Sequence, residues 1–218
     1  MSYAMVVFDW DGTLMDSTHS IVAAIQAAAR DLDLPVPTAS EASWVIGLSL
    51  ESALKRAVPQ LTPALMPRFL ERYHIHYLLR DPELRLFEGV RELLDSLASQ
   101  NVRLAVATGK SRVGLNRVLA ATGLGPVFDA TRTADETFSK LHPEMLHQIM
   151  SDLDVDPARV VMVGNTTHDL QMALNAGVHG LGVSYGAHSL DELQACAAQA
   201  IVHSVPEMAQ WLTPRIAG

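Results

Sequence analysis

The sequence predicts an α/β protein: a parallel sheet core covered by helices and interrupted by an inserted, all-helical unit. Three observations carry that expectation. Short apolar runs at residues 5–8 (MVVF), 102–107 (VRLAVA) and 160–163 (VVMV) alternate with stretches of helical periodicity, which is the grammar of strand–helix–strand crossovers. Residues 18 to about 81 carry helical signals alone. Each of the three apolar runs ends in side chains capable of chemistry.

Taken in order, Met5 to Phe8, bounded by Asp9, Asp11 and Gly12, read as a strand buried on both faces. Ile21, Ile25, Ala28, Ala29 and Leu32 recur on one helix face, which Pro35 and Pro37 end. Thr62 with Pro63 suits a helix start, Pro67 argues for a start one turn later, and Phe69, Leu70, Tyr73, His76 and Tyr77 follow at helical spacing. After Pro82 the alternation begins. Val90, Leu93, Leu94 and Leu97 mark a helix ended by Asn101, and Val118 and Leu119 mark one that closes at Gly123. Leu146, Ile149, Met150 and Leu153 mark a third, and Leu170, Ala173 and Leu174 a fourth, closed by Gly177. VHGLGVS (178–184) and AIVH (200–203) read as further short strands. Ser189 with Glu192 and Ser204 with Glu207 have capping-box spacing. The expected division is a core of residues 1–16 and 83–218 around a helical unit of residues 17–82.

Composition narrows the partners. Hydrophobic residues are 49% and charged residues 18% of the 218, as in a soluble globular protein. Twenty-four acidic residues against 16 basic give a net charge of -8, with no Lys/Arg cluster for a phosphate backbone or an anionic membrane. Asp9 and Asp11 interrupt the first apolar run, so no signal peptide is expected, and no run approaches the roughly 20 residues of a membrane span. The single cysteine, Cys196, allows no internal disulfide or multi-cysteine zinc site and fits a reducing, cytoplasmic setting. No long apolar surface stripe is evident, so a monomer is the default.

Ligands of parallel sheets bind at the carboxyl ends of the strands. There the sequence puts Asp9 and Asp11, then Thr108 and Gly109, then Gly164 and Asn165 with Asp169 shortly after. One shared site accounts for all three exits. A carboxylate can attack phosphorus and form an acyl-phosphate, the role suited to Asp9. Asp11 can protonate the leaving alcohol and later take a proton from the attacking water, and close carboxylates raise one another's pKa, which helps keep an acid protonated. Carboxylates also repel a phosphate dianion, so a hard cation such as Mg²⁺ is expected, held by Asp9, the backbone carbonyl of Asp11 and acids near Asp169. Thr108 and the Gly109 amide can donate to phosphoryl oxygens, and Lys140 can offset transition-state charge.

These stretches resemble the haloacid dehalogenase superfamily, specifically its phosphoglycolate phosphatase-like members with a helical cap. DWDGTLMDS (9–17) fits the first motif, ATGK (107–110) the second, SKLHPEML (139–146) the third and VGNTTHDLQMALNAG (163–177) the fourth. The resemblance implies a Rossmann-like core, an aspartyl-phosphate intermediate, and Mg²⁺ held by Asp9, Asp11, Asn165 and Asp169. The implied activity is a phosphatase acting on a small phosphorylated metabolite, of the phosphoglycolate or sugar-phosphate type. Dehalogenases of the superfamily lack an acid at the position of Asp11, so phosphate chemistry is favoured here. The chain departs from the pattern at Asn165, where the family usually has a metal-binding Asp; an amide removes a negative charge and predicts weaker Mg²⁺ binding. Leu141 and Glu88 stand where prolines are common in the family. The cap would open on hinges near residues 16–18 and 82–89, and residues 47–49 are the first suspects for substrate choice.

Other readings are weaker or bland. TGKS (108–111) resembles the end of a phosphate-binding loop, but Leu104 stands where that loop needs glycine. None of the nine histidines has H-E-x-x-H spacing. His74 and His76 read as cap surface or packing residues, Trp10 as a packing group, Lys110 as a solvated side chain and His168 as an exposed loop residue. A sugar-phosphate mutase on the same scaffold, and a binding or regulatory protein weakened by Asn165, are the alternatives to a phosphatase.

Overall fold

A computed structural model describes residues 2–81 and 84–216. Pro82 and the expected boundary at 82/83 lie outside those residues. Among the described residues the strands are β1 (Met5–Phe8), β2 (Met15–Asp16), β3 (Arg85–Leu86), β4 (Arg103–Thr108), β5 (Ala130–Thr133), β6 (Val160–Gly164), β7 (His179–Val183) and β8 (Ala200–Val202). The α-helices are α1 (Thr18–Asp31), α2 (Ala39–Trp44), α3 (Leu50–Ala57), α4 (Met66–Leu79), α5 (Val90–Ala98), α6 (Arg112–Thr122), α7 (Glu144–Leu153), α8 (Thr167–Ala176), α9 (Leu190–Gln194) and α10 (Val205–Leu212).

Six strands form one parallel sheet in the order β5-β4-β1-β6-β7-β8. β1 is central because its side chains are apolar on both faces. Val6 and Phe8 join the core cluster that includes α5, α6 and α10, while Met5 and Val7 join the cluster of α7 and α8, the alternation a pleated strand imposes. The chain winds outward from β1 in both directions, so the order reverses there, and a crevice opens at the carboxyl ends of the middle strands. Phe8 is level with Val106 of β4 and Val163 of β6. Asp9, Thr108 and Asn165 therefore emerge side by side.

Helices α1 to α4 build a separate apolar cluster around Ile25, Leu54 and Phe69. Asp31 clamps α1 to α4 by accepting from Arg72 Nε (2.6 Å) and pairing with His76 Nε2 (2.7 Å). α4 begins at Met66 with Pro67 in its first turn, the later of the two starts the prolines allow. The chain enters this cap through β2 and returns through β3, which pair antiparallel. The Ser189 capping box is complete. At Ser204 only half of it forms, because the Glu207 carboxylate accepts from the His203 amide instead.

Candidate active site

The turn after β1 is built by its backbone. Trp10 O accepts from the amides of Leu14 and Met15, and the Gly12 amide donates to Met15 O. Gly12 has φ +82, and a Cβ there would stand 2.6 Å from Asn165 Oδ1; both backbone and space require glycine. This turn brings Asp9 and Asp11 to the crevice.

Asp9 and Lys140 are both buried, and the Lys140 ammonium pairs with Asp9 Oδ1 and, at 2.7 Å, with Asp169 Oδ1. Burial raises the Asp9 carboxyl above the usual carboxylate range; Lys140 pulls it back, and Asp169 and Asp11 push it up again. For Lys140, burial alone would lower the pKa, but Asp169 and Asp9 reverse that, and the ammonium is held above its ordinary value. The other Asp169 oxygen is fixed by the Thr166 amide (3.0 Å) and hydroxyl (2.7 Å), which complete the cap of α8. Asp169 thus sits at the start of α8 and aims Lys140 at Asp9. Leu141 follows Lys140 with φ +82, and its carbonyl accepts from Asn175 Nδ2 at 2.7 Å, an anchor for the loop that carries the lysine.

Asp11 accepts from Ser17 Oγ at 2.6 Å through Oδ1 and faces Lys110 Nζ at 3.0 Å through Oδ2. The expectation of a solvated Lys110 is overturned. Its ammonium also donates to Tyr77 Oη of the cap (3.1 Å), and although burial would lower its pKa, Asp11 and the two tyrosines Tyr77 and Tyr73 raise it further. Thr108 Oγ1 accepts from the Lys110 amide at 3.2 Å, which leaves the hydroxyl proton for an incoming oxygen. The structure therefore brings Asp9, Asp11, Thr108, Gly109, Lys140, Asn165 and Asp169 to one crevice and adds Lys110.

The cap sits directly on this crevice. A Cβ on Gly109 would fall 2.5 Å from the carbonyl oxygens of both Gly47 and Leu48, so only glycine admits the approach of residues 47–48. The Ser49 amide donates to Ser139 Oγ at 2.9 Å, next to Lys140. His168, expected on an exposed loop, is instead buried against the cap: its Nε2 and that of His188 both donate to Trp44 O, each at 2.9 Å. The Thr167 amide donates to His188 Nδ1, which fixes that tautomer. Burial lowers the His168 pKa to about 4, so the imidazole is neutral. Trp10 is buried and packs edge-on against Phe128, the packing role expected of it. His76 of α4 pairs with Asp31 within the cap, and His74 of the same helix lines the cavity between cap and core.

Cap and core enclose a cavity of about 800 Å³. Asp9 and Asp11 form its floor with Lys110; Ile21, Ile25, Tyr73, Tyr77 and Leu78 of the cap, with Val113 and Arg117 of α6, form its walls.

The fit of a divalent cation can be judged from the oxygens present. Asp9 Oδ2 and Asp11 O converge on one point, an arrangement suited to a hard cation. That point holds the Asn165 amide nitrogen, which donates to Asp9 Oδ2 (3.1 Å), Asp11 O (2.8 Å) and Thr13 Oγ1 (2.9 Å). Asn165 Oδ1 is turned away and accepts from the Ala187 amide at 2.8 Å. Among the described residues no group of three or more His, Cys, Asp or Glu side chains is arranged to hold a metal. The oxygen cradle fits a cation once the amide turns.

An aspartate pair at the switch point of a parallel sheet, roofed by a helical cap, defines a class of α/β hydrolase, and comparison with known proteins names the family. Residues 6–183 match the haloacid dehalogenase-like hydrolases, and the chain belongs to that family. It is 39% identical over 210 residues to a Dickeya dadantii (strain 3937) protein named "Probable phosphatase IndB", covering 94% of this chain and 91% of the relative. It is 32% identical over 187 residues to the phosphoglycolate phosphatase of Pectobacterium atrosepticum, covering 83% and 80%. A hydrolase from Pseudomonas syringae superposes with a TM-score of 0.88 at 21% identity, over 98% of this chain and 100% of that one. The haloacid dehalogenase-like family protein SP0104 of Streptococcus pneumoniae gives 0.82 at 22%, over 97% and 99%, and both share the fold. The chain is an enzyme of phosphoric monoester hydrolase type. No helix among the described residues is long and apolar enough to cross a membrane.

Proposed function

We propose that the chain is a Mg²⁺-dependent phosphatase that transfers the phosphoryl group of a small phosphomonoester to Asp9 and then to water. The observation that carries this reading is the pairing of Asp9 with buried Lys140, while Asp11 stands two residues on at the same crevice. A carboxylate oxygen of Asp9 attacks phosphorus, the bond from phosphorus to the alcohol oxygen breaks, and Asp11, which must enter this step in its protonated form, gives that oxygen its proton. Water then attacks phosphorus, Asp11 takes its proton, and phosphate leaves with Asp9 restored. Lys140 holds Asp9 in place, and Thr108 with the Gly109 amide donates to the phosphoryl oxygens. The cation would be held by Asp9, the Asp11 carbonyl and Asn165 Oδ1, with Asp169 nearby, and when bound it would neutralise phosphoryl charge.

The cavity guides the choice of substrate. At about 800 Å³ it is in the range of pockets that hold drug-sized ligands, about 300–1,000 Å³. Its aliphatic and tyrosine walls favour an alcohol larger and less polar than glycolate, and Arg117 and Lys110 can take a second anionic or hydroxyl group. The single cysteine and the absence of a basic patch support a cytoplasmic metabolite as substrate. The test is inorganic phosphate release from a panel running from phosphoglycolate through sugar phosphates to aryl and nucleoside monophosphates, with Mg²⁺ and with EDTA. Mg²⁺-dependent release that is absent in Asp9→Asn is expected. Phosphoryl transfer between sugar hydroxyls without net release would favour a mutase instead.

A further inference from the structure

The Asn165 carboxamide is locked at both ends. Its nitrogen has three oxygen partners on the turn after β1, and its oxygen has a backbone N–H. Turning it over would set the amide oxygen against Asp9 Oδ2 and Asp11 O, and the NH₂ group against the Ala187 N–H, donor against donor. The walls are close as well: a Cβ on Gly12 would come within 2.6 Å of Asn165 Oδ1, and one on Gly186 within 2.5 Å. Charge favours the same arrangement. Three carboxylates, Asp9, Asp11 and Asp169, face the two ammonium groups of Lys110 and Lys140. A carboxylate at 165 would put a fourth negative charge in hydrogen-bond range of Asp9.

We infer that the Asn165 amide is a built-in neutral stand-in for the cation, tying Asp9 to the Asp11 turn by itself, so that the protein folds without a divalent ion and binds one weakly. A cation entering the cradle must displace the amide nitrogen and cost the Ala187 N–H its acceptor. The inference rests on the proposed function only for the choice of Mg²⁺ as the ion, and its test needs no substrate.

The experiment is thermal unfolding and titration calorimetry of the full chain with MgCl₂ or EDTA, comparing wild type, Asn165→Asp and Asn165→Ala. Wild type should unfold at nearly the same temperature with and without Mg²⁺. Asn165→Asp should unfold several degrees lower in EDTA, recover with Mg²⁺, and bind the ion about tenfold or more tightly than wild type. Asn165→Ala, which adds no charge, should be less stable than wild type in both conditions. Wild type binding Mg²⁺ as tightly as Asn165→Asp would overturn the inference, as would an Asn165→Ala variant as stable as wild type. Should Asn165→Asp not fold without the ion, a wild-type transition insensitive to Mg²⁺ still supports the inference, and a sensitive one overturns it. Phosphate release is read separately: tight Mg²⁺ binding with normal hydrolysis refutes the stand-in and leaves the phosphatase reading intact, and weak binding without hydrolysis does the reverse.

Discussion

Replacing Lys140 by methionine keeps most of its volume and removes the one cation shared by two buried carboxylates. Lys140 touches Asp9 and Asp169, and all three side chains are almost wholly excluded from solvent. Breaking a buried pair by deleting one partner costs about 3–5 kcal/mol, because a charge is left uncompensated in a poorly polarisable place. With a urea slope of about 2–3 kcal/mol per molar, the unfolding midpoint should fall by about 1–2.5 M at pH 8. The deficit depends on pH with a definite sign. Burial already raises the Asp9 carboxyl and Lys140 lowers it; without the lysine the folded state binds the Asp9 proton more tightly than the unfolded state does. The variant therefore loses stability as pH rises from the ordinary carboxylate range toward that raised value, so its deficit is smaller at pH 5 than at pH 8. Urea titrations followed by tryptophan fluorescence at the two pH values measure both effects. A variant as stable as wild type at pH 8, or a deficit equal at both pH values, would refute the assignment of Lys140 as the counter-charge of Asp9.

Gly109→Ala should lower kcat/KM about tenfold or more, because a Cβ 2.5 Å from the carbonyls of Gly47 and Leu48 forces the cap off the crevice; steady-state kinetics decide, and full activity would show that this closure is not used in turnover. Glu136, whose pKa the Arg112 guanidinium and Thr133 lower to about 2, lends stability above the unfolded carboxylate value that is lost as pH falls toward 2. Because the pair is partly exposed, the contribution is only about 1 kcal/mol at pH 7 after screening. Glu136→Gln should be less stable than wild type by that amount at pH 7 and nearly equal to it near pH 2, as urea unfolding would record.

What could be read from the chain depended on how far each signal travelled. β1, β4 and β6 were legible because strands buried on both faces must be apolar throughout, and the residues that end them must then share one edge. β5, with the sequence ATRT and only partial burial, carries no such run and is found only by its pairing with β4. β2 and β3 are two residues each, too short for any period. Helices α2 and α3 are short and separated by Gly47, and their apolar residues acquire a common face only in the cap cluster. The errors at Lys110 and His168 share one cause. Their surroundings come from Tyr77 and Trp44 of the cap, 33 and 124 residues distant in sequence, and no local pattern reports a contact of that range. Asn165 was visible as a departure, and the direction of its amide required the structure.

In the proposed function Asp9 carries the phosphoryl group during turnover. Its most direct test is to quench the enzyme in acid during turnover on an active phosphomonoester and to map the mass of the peptide containing residues 5–17. This peptide is expected to gain one phosphoryl group on Asp9, labile to hydroxylamine, and the gain should be absent in Asp9→Asn. Rapid hydrolysis with no phosphorylated peptide at any quench time, or label on another residue, would contradict it.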